Sequence, residues 1–249
     1  MRAHYGGDGI FGQSDSEPLA VTVSPEPSTT VASALLCGTS IYSCLIGSPF
    51  SAATYGTFVF VRADVAGKSG FGTATGTINF TDVDQQPIPG DPFRLNSFGN
   101  VETPYGVTTF APGAHRIRAL YGGDSSFLPS ASAPVSFTIT EAPTQTALTA
   151  STAAAVEDAN VTLTATVSTS SYGNPPTGKI AFFSGAKLLG PPVQVAGSFD
   201  PVAGTAAATA SLATTRLAVG QDNVTAKYIG DENYVESISA PVAIAVTKQ

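Results

Sequence analysis

The chain has little of what several large classes of protein need. It contains no tryptophan, one methionine and two histidines, and 12% of its 249 residues are charged. Its 11 lysines and arginines are scattered and the net charge is −7, which argues against nucleic acid or an anionic membrane surface as a partner. No apolar run approaches the roughly 18 residues of a membrane span, so we expect no membrane insertion.

The pattern of a long helix is also missing. No window offers an apolar stripe at helical spacing with charged flanks. Threonine, serine, alanine and valine fill most of the chain, together with 25 glycines and 18 prolines. Because these residues favour strands and turns, the composition predicts an all-β protein.

One phrase occurs three times in the chain. Each copy begins with a tyrosine, has an aspartate three residues later and reaches a proline 13 residues after the tyrosine. The tyrosine and aspartate pairs are Tyr5 and Asp8, Tyr121 and Asp124, and Tyr228 and Asp231. The copies begin 116 residues apart (121 minus 5) and 107 residues apart (228 minus 121), and a repeat of that length is a domain.

The repeat predicts three parts. Residues 1–24 match the last two strands of a preceding repeat, residues 25–140 (domain 1) form a domain with an insertion around 35–55, and residues 141–249 (domain 2) form a second domain. Pro27 and Pro143 mark the boundaries, because proline cannot donate to a strand ladder. The short linkers favour domains strung end to end with limited freedom. Residues 1–7 lack the apolar core of a signal peptide, so we expect any export signal to lie outside this chain.

Apolar residues alternate with threonine within the domains. In residues 161–167, Val, Leu, Ala and Val alternate with three threonines, which predicts a strand with one buried and one solvent-facing side. Ile180 and Phe182 are expected to point inward on the next strand, as are Ile78 and Phe80 in domain 1. Six or seven such strands in about 110 residues are typical of a two-sheet Greek-key sandwich.

Several motifs within residues 162–242 resemble a known family. They read Thr-x-x-Ala-x-Val, Pro-Thr-Gly-x-Ile-x-Phe, Leu-x-x-Gly, Ala-x-Tyr-x-Gly-Asp-x-x-Tyr and Ser-x-Ser-x-Pro-Val. In this order they are similar to the bacterial Ig-like repeats (group 3-like) of secreted and cell-surface proteins. The resemblance implies tandem immunoglobulin-like Greek-key β-sandwiches that serve outside the cell as stalk or adhesion modules, without catalysis. The cysteines and tryptophan of antibody domains are missing, so the fold is expected to depend on packing alone.

The repeated aspartates Asp8, Asp124 and Asp231 have two readings. Each can accept hydrogen bonds from backbone N–H groups two residues on and so close a turn. A calcium site would need several more converging oxygens, which the phrase does not supply, so we predict a structural turn and no metal. The tyrosine of the phrase is expected to be a core residue with its hydroxyl at the rim.

Cys37 and Cys44 lie seven residues apart. This spacing is not that of a redox motif, and two cysteines lack the four ligands of a structural zinc site. In an exported chain a local disulfide is the natural reading, and it would contribute about 2.5 kcal/mol in the chain-entropy model. The alternative is a pair of buried thiols.

Catalytic patterns are not found in the sequence. His4 and His115 occupy different positions in the repeat, and there is no Gly-x-Ser-x-Gly motif. We therefore predict that the chain is not an enzyme and binds no cofactor.

The insertion in domain 1 is apolar rather than loop-like. It brings Ile41 and Tyr42 together with both cysteines, and it precedes a strand that has Phe58 and Phe60 where domain 2 has polar residues. Either the insertion folds back over these two rings as a private minicore, or the rings and the insertion form an exposed contact patch. We favour the first, because exposed aromatic residues beside an apolar loop would invite aggregation.

Two functions follow from these observations. The first is a structural spacer or adhesion segment of a larger extracellular or cell-surface protein, in contact with an unknown protein or glycan and with neighbouring Ig-like repeats. The second is a carbohydrate-binding accessory module of an extracellular enzyme. Exposed aromatic residues on one sheet face would favour the second, whereas a uniform face of threonine and serine favours the spacer.

Overall fold

The all-β prediction is confirmed. The computed structural model describes residues 1–37, 47–82, 88–103, 110–200 and 205–249. Within these ranges every regular element is a β-strand.

A small hairpin forms the N-terminal segment, residues 1–24. Its strands are β1 (His4–Tyr5) and β2 (Ser14–Asp15), and Tyr5 pairs with Ser14. Apart from Gly7, every residue of the segment is exposed. The segment therefore has no core of its own.

The described residues of domain 1 form ten strands in two sheets. They are β3 (Ser28–Leu36), β4 (Ser48–Pro49), β5 (Ala52–Thr54), β6 (Val59–Gly67), β7 (Thr77–Thr81), β8 (Phe93–Arg94), β9 (Asn100–Glu102), β10 (Gly113–Tyr121), β11 (Ser130–Ala131) and β12 (Val135–Thr140). One sheet has the order β4-β3-β6-β9, and the other has the order β5-β12-β10-β7-β8 with β11 beside β10.

In domain 2, outside residues 201–204, the chain forms eleven strands in two sheets of the same plan. They are β13 (Gln145–Ala150), β14 (Ala154–Val156), β15 (Val161–Thr169), β16 (Lys179–Ser184), β17 (Lys187–Leu188), β18 (Val193–Gln194), β19 (Ala196–Asp200), β20 (Thr205–Thr214), β21 (Gly220–Tyr228), β22 (Ser237–Ile238) and β23 (Val242–Thr247). One sheet has the order β13-β15-β20-β19, and the other has the order β14-β23-β21-β16-β17, with β18 beside β16 and β22 beside β21.

These sheet orders are those of an immunoglobulin-like Greek-key sandwich. In each domain the long strands pair with strands that are distant in sequence, such as β3 with β6 and β15 with β20. The chain changes sheet between its first long strand and the short parallel strand that follows. The strands outnumber the six or seven predicted, because several are two-residue pairings such as β17 and β22 that are too short to show alternation.

The core lies between the two sheets and follows the predicted alternation. In β15 the four inward side chains are at most 1% exposed, whereas Thr162 between them is exposed. The inward isoleucine and phenylalanine of β7 and of β16 are also at most 1% exposed. Burying such a side chain stabilises a fold by about 1.5–3 kcal/mol, so this alternation is the main source of stability in each domain.

Candidate functional site at the domain junction

In each domain the aspartate of the repeated phrase closes a turn with four hydrogen bonds. Oδ1 of Asp231 accepts from the backbone N–H groups of Asn233 and Tyr234 at 2.8 and 2.9 Å. Its Oδ2 accepts from the backbone N–H and the hydroxyl of Thr177, both at 2.7 Å. Asp124 makes the same four bonds in domain 1, to Thr75, Ser126 and Phe127. The carboxylate thus ties the turn to the start of the strand opposite it.

These hydrogen bonds favour the ionised aspartates. Burial acts to raise the pKa of Asp231, but the bonds from Thr177 and Asn233 outweigh it and hold the pKa below its ordinary value. The pKa of Asp124 is lowered for the same reason.

The tyrosines of the phrase are core residues in both domains, as predicted. Tyr121 is 3% exposed and Tyr228 is 0% exposed. Their hydroxyls do not lie at the rim, which corrects that part of the prediction, because the closed turn and the glycine opposite it cover the end of each ring. Burial raises the pKa of Tyr121 to about 12 and also raises the pKa of Tyr228.

The junction between the domains is built around Tyr55, which follows β5. Its carbonyl oxygen accepts a hydrogen bond from the Ser171 hydroxyl at 2.7 Å, and its phenol oxygen accepts one from the Asn174 backbone N–H at 3.4 Å. Its ring meets the ring of Tyr234 edge-on, with centroids 5.6 Å apart. Tyr55 is 3% exposed. Tyr55 of domain 1 therefore packs into domain 2, against the turn that carries the repeated phrase.

Two glycines allow this close approach. A Cβ atom on Gly173 would lie 2.2 Å from the Tyr55 ring, and one on Gly56 would lie 1.9 Å from the Ser171 hydroxyl. Gly56 also has a φ of +80°, a conformation that other residues rarely adopt. Its carbonyl oxygen accepts a hydrogen bond from the backbone N–H of Tyr172 at 3.3 Å. Because these two glycines have no side chain, each domain can approach the backbone of the other.

Phe58 also lies at the junction. Its ring contacts the ring of Tyr172 with centroids 5.1 Å apart, and the side chain is half-buried. Both rings line a cleft of about 320 Å³ between the domains, together with Leu36, Cys37 and Pro143. Every described residue that lines the cleft is uncharged.

Phe60 has a different environment from Phe58. It is 2% exposed, although its neighbours Val59 and Val61 occupy the inward positions of β6. The backbone of Gly47 and the side chain of Leu35 lie against its ring on the outward side, since a Cβ on Gly47 would be 2.7 Å from the ring. The end of the insertion therefore covers this phenylalanine.

Of the other residues predicted in the insertion, only Cys37 lies in the described part of the chain. Ile41, Tyr42 and Cys44 lie outside the described residues, and Cys37 is 1% exposed. The disulfide between Cys37 and Cys44 and the contact patch that includes Ile41 and Tyr42 stay predictions.

Replacing Phe60 by threonine is expected to destabilise domain 1 by about 3–4 kcal/mol, because a buried ring is removed from a covered site. Phe58→Thr is the matched change two residues away, and it is expected to cost about 1 kcal/mol, the size of one aromatic pair contact. Chemical denaturation of the two variants measures the difference. Equal and small losses would contradict cover by the insertion.

A polar pair occupies the same place in both domains. In domain 1, Nδ1 of His115 lies 2.5 Å from a carboxylate oxygen of Asp82, and its Nε2 lies 2.8 Å from the Ala111 carbonyl oxygen. The equivalent residues of domain 2 are Asp222 and Ser184, and the serine hydroxyl donates to the aspartate. In domain 1 the aspartate is therefore the earlier residue of the pair (Asp82), whereas in domain 2 it is the later one (Asp222).

His115→Asp is expected to destabilise domain 1 by about 2–3 kcal/mol, because it places a second carboxylate against Asp82. Adding Asp82→Ser recreates the pair found in domain 2 and is expected to restore most of the loss. Thermal unfolding of the single and double variants tests the exchange. A double variant no more stable than His115→Asp alone would show that the two pairs are not equivalent.

A family model agrees with the fold and the repeat. The model of the Bacterial Ig-like domain (group 3) matches residues 46–140 and again residues 148–247. The chain belongs to this family. The predicted tandem bacterial Ig-like repeat is therefore confirmed.

Solved structures of several Ig-like and related proteins are similar to this Ig-like chain. The adhesin InvE of Yersinia pseudotuberculosis is 15% identical with a TM-score of 0.38, and the match covers 87% of this chain and 58% of that one. The Escherichia coli adhesin FdeC is 16% identical, with a TM-score of 0.27 and coverage of 94% and 68%. The fibronectin(III)-like modules of Clostridium thermocellum CbhA are 14% identical, with a TM-score of 0.30 and coverage of 80% and 90%.

No curated protein sequence matches the chain at a significant level. Among the described residues, no helix is long and apolar enough to cross a membrane.

Sequence reasoning missed Tyr55, the central residue of the junction. A signal was present, because the part of the repeat ahead of the phrase recurs at 102 residues, as Ile78 and Phe80 recur at Ile180 and Phe182. This interval aligns Tyr55 with Glu157 and Gly56 with Asp158. Asp158 has a φ of +63°, so the unusual turn is shared, but only domain 1 carries an aromatic residue there. An aromatic residue at one copy of a polar turn position indicates a contact outside the domain.

Proposed function

We propose that this pair of Ig-like domains is a non-catalytic spacer and adhesion segment of a larger extracellular surface or secreted protein. The observation that carries the proposal is the junction, where Tyr55 is seated between Gly173 and Tyr234. The four residues between β12 and β13 alone would leave the domains free to change their relative orientation, whereas hydrogen bonds and a buried ring hold them in one relation. A spacer needs a fixed orientation between its domains, because domains that rotate freely would span a shorter end-to-end distance.

The outward sheet face of domain 2 supports the spacer over a carbohydrate-binding module. Outward residues of β15 and β20 are Thr162, Thr164, Thr166, Ser168, Thr205, Ala207, Thr209, Ser211 and Ala213. None of these is aromatic, and aromatic platforms are what a sheet needs to stack on sugar rings. At the same face of domain 1, Arg62 bonds to Asp64 and Glu102, so charged side chains occupy this part of the described face.

Adhesive contact is better supported at one end of domain 1. Phe71 and Phe98 are 83% and 82% exposed. The turn that carries Phe98 ends at Gly99, which packs against Thr73 and Ala74 two residues beyond Phe71. The two exposed rings are thus carried by neighbouring turns, and exposed apolar groups of this kind mark protein contact sites, so this end is where we expect a protein partner.

Surface display tests the proposal. Cells displaying the full chain are scored for attachment to protein-coated and to polysaccharide-coated surfaces. Phe71→Ser with Phe98→Ser is expected to abolish attachment to protein without lowering the melting temperature, whereas Val31→Ser, a matched change at another exposed position, is expected to have no effect. Attachment to insoluble polysaccharide that survives the double change would favour the accessory-module alternative.

A further inference from the structure

One sheet of domain 1 carries three arginines on its outward face. They are Arg94 of β8 and Arg116 and Arg118 of β10, and all three are exposed. The strands of this sheet, β5, β7, β8, β10, β11 and β12, contain no aspartate or glutamate. Among the described residues none of the three arginines forms an ion pair. In a chain with a net charge of −7, this arginine face is therefore locally positive.

The carboxylate that directly follows β7 does not neutralise the arginine face. One oxygen of Asp82 lies 2.5 Å from Nδ1 of His115, and the other accepts from the backbone N–H of Arg116 at 2.9 Å. The His115 ring stacks on the ring of Phe137, which is 3% exposed. Asp82 is therefore held against the inner side of the sheet.

Backbone pairing sets the spacing of the arginines. Arg116 and Arg118 lie two residues apart on one strand, which separates them by about 7 Å. Arg118 pairs with Thr81 at one end of β7, and Arg94 pairs with Thr77 at the other end. Because β8 is two strands away from β10, Arg94 lies roughly 17 Å from Arg118. Guanidinium groups at this spacing cannot share one small anion, but they can bind successive anionic groups of a polymer.

One of the three side chains is already held in place. Nε of Arg118 donates to the Ser132 carbonyl oxygen at 3.1 Å, which leaves its two Nη groups for a ligand. A guanidinium presents these N–H groups in a planar fork that fits the paired oxygens of an anionic group. Because the side chain is ordered before binding, less conformational entropy is lost when a ligand binds.

Short polar side chains lie between the arginines on the same face. They are Thr77, Asn79 and Thr81 of β7 and Ser136 and Thr138 of β12. Their hydroxyl and amide groups can exchange hydrogen bonds with sugar hydroxyls. The outward residues of these six described strands include no aromatic ring, and the apolar Leu120 is 37% exposed. A protein interface needs an apolar core, and single-stranded nucleic acid needs aromatic rings for its bases, so the face fits neither as well as a polysaccharide.

Domain 2 has uncharged residues at the three arginine positions. The counterparts of the arginines are Gln194, Asn223 and Thr225. The strand register gives the first, because Gln194 pairs with β16 as Arg94 pairs with β7, and the 107-residue interval of the phrase gives the other two. The equivalent face of domain 2 has Lys179 and Lys227, and Lys227 forms an ion pair with Glu236 at 2.7 Å. The shared fold therefore does not require the arginines.

We propose that the arginine face of domain 1 binds a linear anionic polysaccharide that carries carboxylate or sulfate groups. Each arginine binds one anionic group, and the polar residues between them bind hydroxyl groups of the sugars. This mode of binding depends on charge and uses no stacking on sugar rings, so it differs from that of the carbohydrate-binding accessory module. It does not rest on the protein contact proposed at Phe71 and Phe98, which lie in turns outside these strands.

Binding of the full chain to immobilised polysaccharides tests the proposal. Dextran sulfate supplies sulfate groups, polygalacturonate supplies carboxylate groups, and dextran is the neutral counterpart of the first. Single-stranded poly(dT) is included as an anionic polymer of another class. Each measurement is repeated at increasing salt, because contacts between exposed charges are weakened by screening.

Two variants of equal net charge locate the site. The arginine variant combines Arg94→Gln, Arg116→Asn and Arg118→Thr, which installs the residues of domain 2. The control variant combines changes at three exposed lysines elsewhere in the chain: Lys68→Gln, Lys187→Gln and Lys248→Gln. The melting temperature of each variant is measured alongside its affinity.

The native chain is expected to bind dextran sulfate, polygalacturonate or both, more weakly as salt rises, and to leave dextran unbound. The arginine variant is expected to bind about tenfold more weakly, and the lysine variant to keep the native affinity. Arg94→Gln alone removes no side-chain hydrogen bond of the described chain and is expected to weaken binding about threefold, so the test does not depend on the folding of the triple variant.

Four results would overturn the proposal. Binding to neither charged polysaccharide would remove the ligand, and equal losses in the arginine and lysine variants would assign binding to net charge alone. Dextran bound as tightly as dextran sulfate would show that charge is not recognised. Poly(dT) bound as tightly as the charged polysaccharides would show that the sugar hydroxyls are not recognised.

Discussion

Replacing Gly173 by alanine is expected to uncouple the two domains of the full chain. The added Cβ would lie 2.2 Å from the Tyr55 ring and 3.0 Å from the Tyr234 hydroxyl. The Tyr55 ring must therefore move away from its contacts with domain 2. The free energy at stake is about 2 kcal/mol, the value of burying one large side chain. We expect calorimetry to show one coupled unfolding transition for the native chain and two separate transitions for Gly173→Ala.

Two controls make this result specific. Gly122→Ala is the matched change, because a Cβ on Gly122 would meet nothing within 4 Å. It is expected to leave the unfolding profile unchanged. Gly173→Ala in residues 141–249 alone is expected to have a much smaller effect, because the 2.2 Å clash is with Tyr55 of domain 1 and only the 3.0 Å approach to the Tyr234 hydroxyl remains. An equal loss of stability in that shorter chain would mean that the glycine serves domain 2 itself and not the junction.

Asp231→Ala is expected to destabilise domain 2 by about 2–3 kcal/mol. The change removes four hydrogen bonds at once and leaves the backbone N–H groups of Thr177, Asn233 and Tyr234 without that acceptor. Bonds to a charged acceptor contribute about 1.5–3 kcal/mol each, but the site is partly exposed and water replaces some of them. Glu232→Ala, at the exposed next position, serves as the control and is expected to have little effect.

The same aspartate gives domain 2 a dependence on pH. Because the pKa of Asp231 is lower in the folded state than its ordinary value, the ionised carboxylate stabilises the fold fully above about pH 4. This contribution is lost as the pH falls from there through the lower folded-state pKa. Asp231→Asn is expected to unfold with a flatter pH profile in this range. An unchanged profile would assign the acid sensitivity to another group.

The sequence predicted the core of the fold because alternation along a strand is a local property. Val161–Val167 and the Ile and Phe of the following strand could be assigned to the inside from their spacing alone, and the structure buries them. The tyrosine hydroxyls were placed wrongly, because the closing turn is what covers them, and its position depends on hydrogen bonds to Thr75 and Thr177, 49 and 54 residues away.

The junction could not be predicted in the same way. Tyr55 sits after a three-residue strand, β5, whose direction is set by parallel pairing with β12 at the far end of the domain. Its partners Gly173 and Tyr234 belong to the other domain, and no periodicity connects them to it. The exchange of Asp82 and His115 for Ser184 and Asp222 was equally hidden, because the shared position is occupied by different residue types.

Residual dipolar couplings measured on the full chain test the central claim, that the junction holds the two domains in one relation. If Tyr55 fixes the domains, the couplings of residues 25–140 and of residues 141–249 fit a single alignment tensor of the same magnitude and orientation. Gly173→Ala should then split that tensor into two. Two tensors of different magnitude in the native chain would mean that the domains move independently, and the proposed spacer would lose its physical basis.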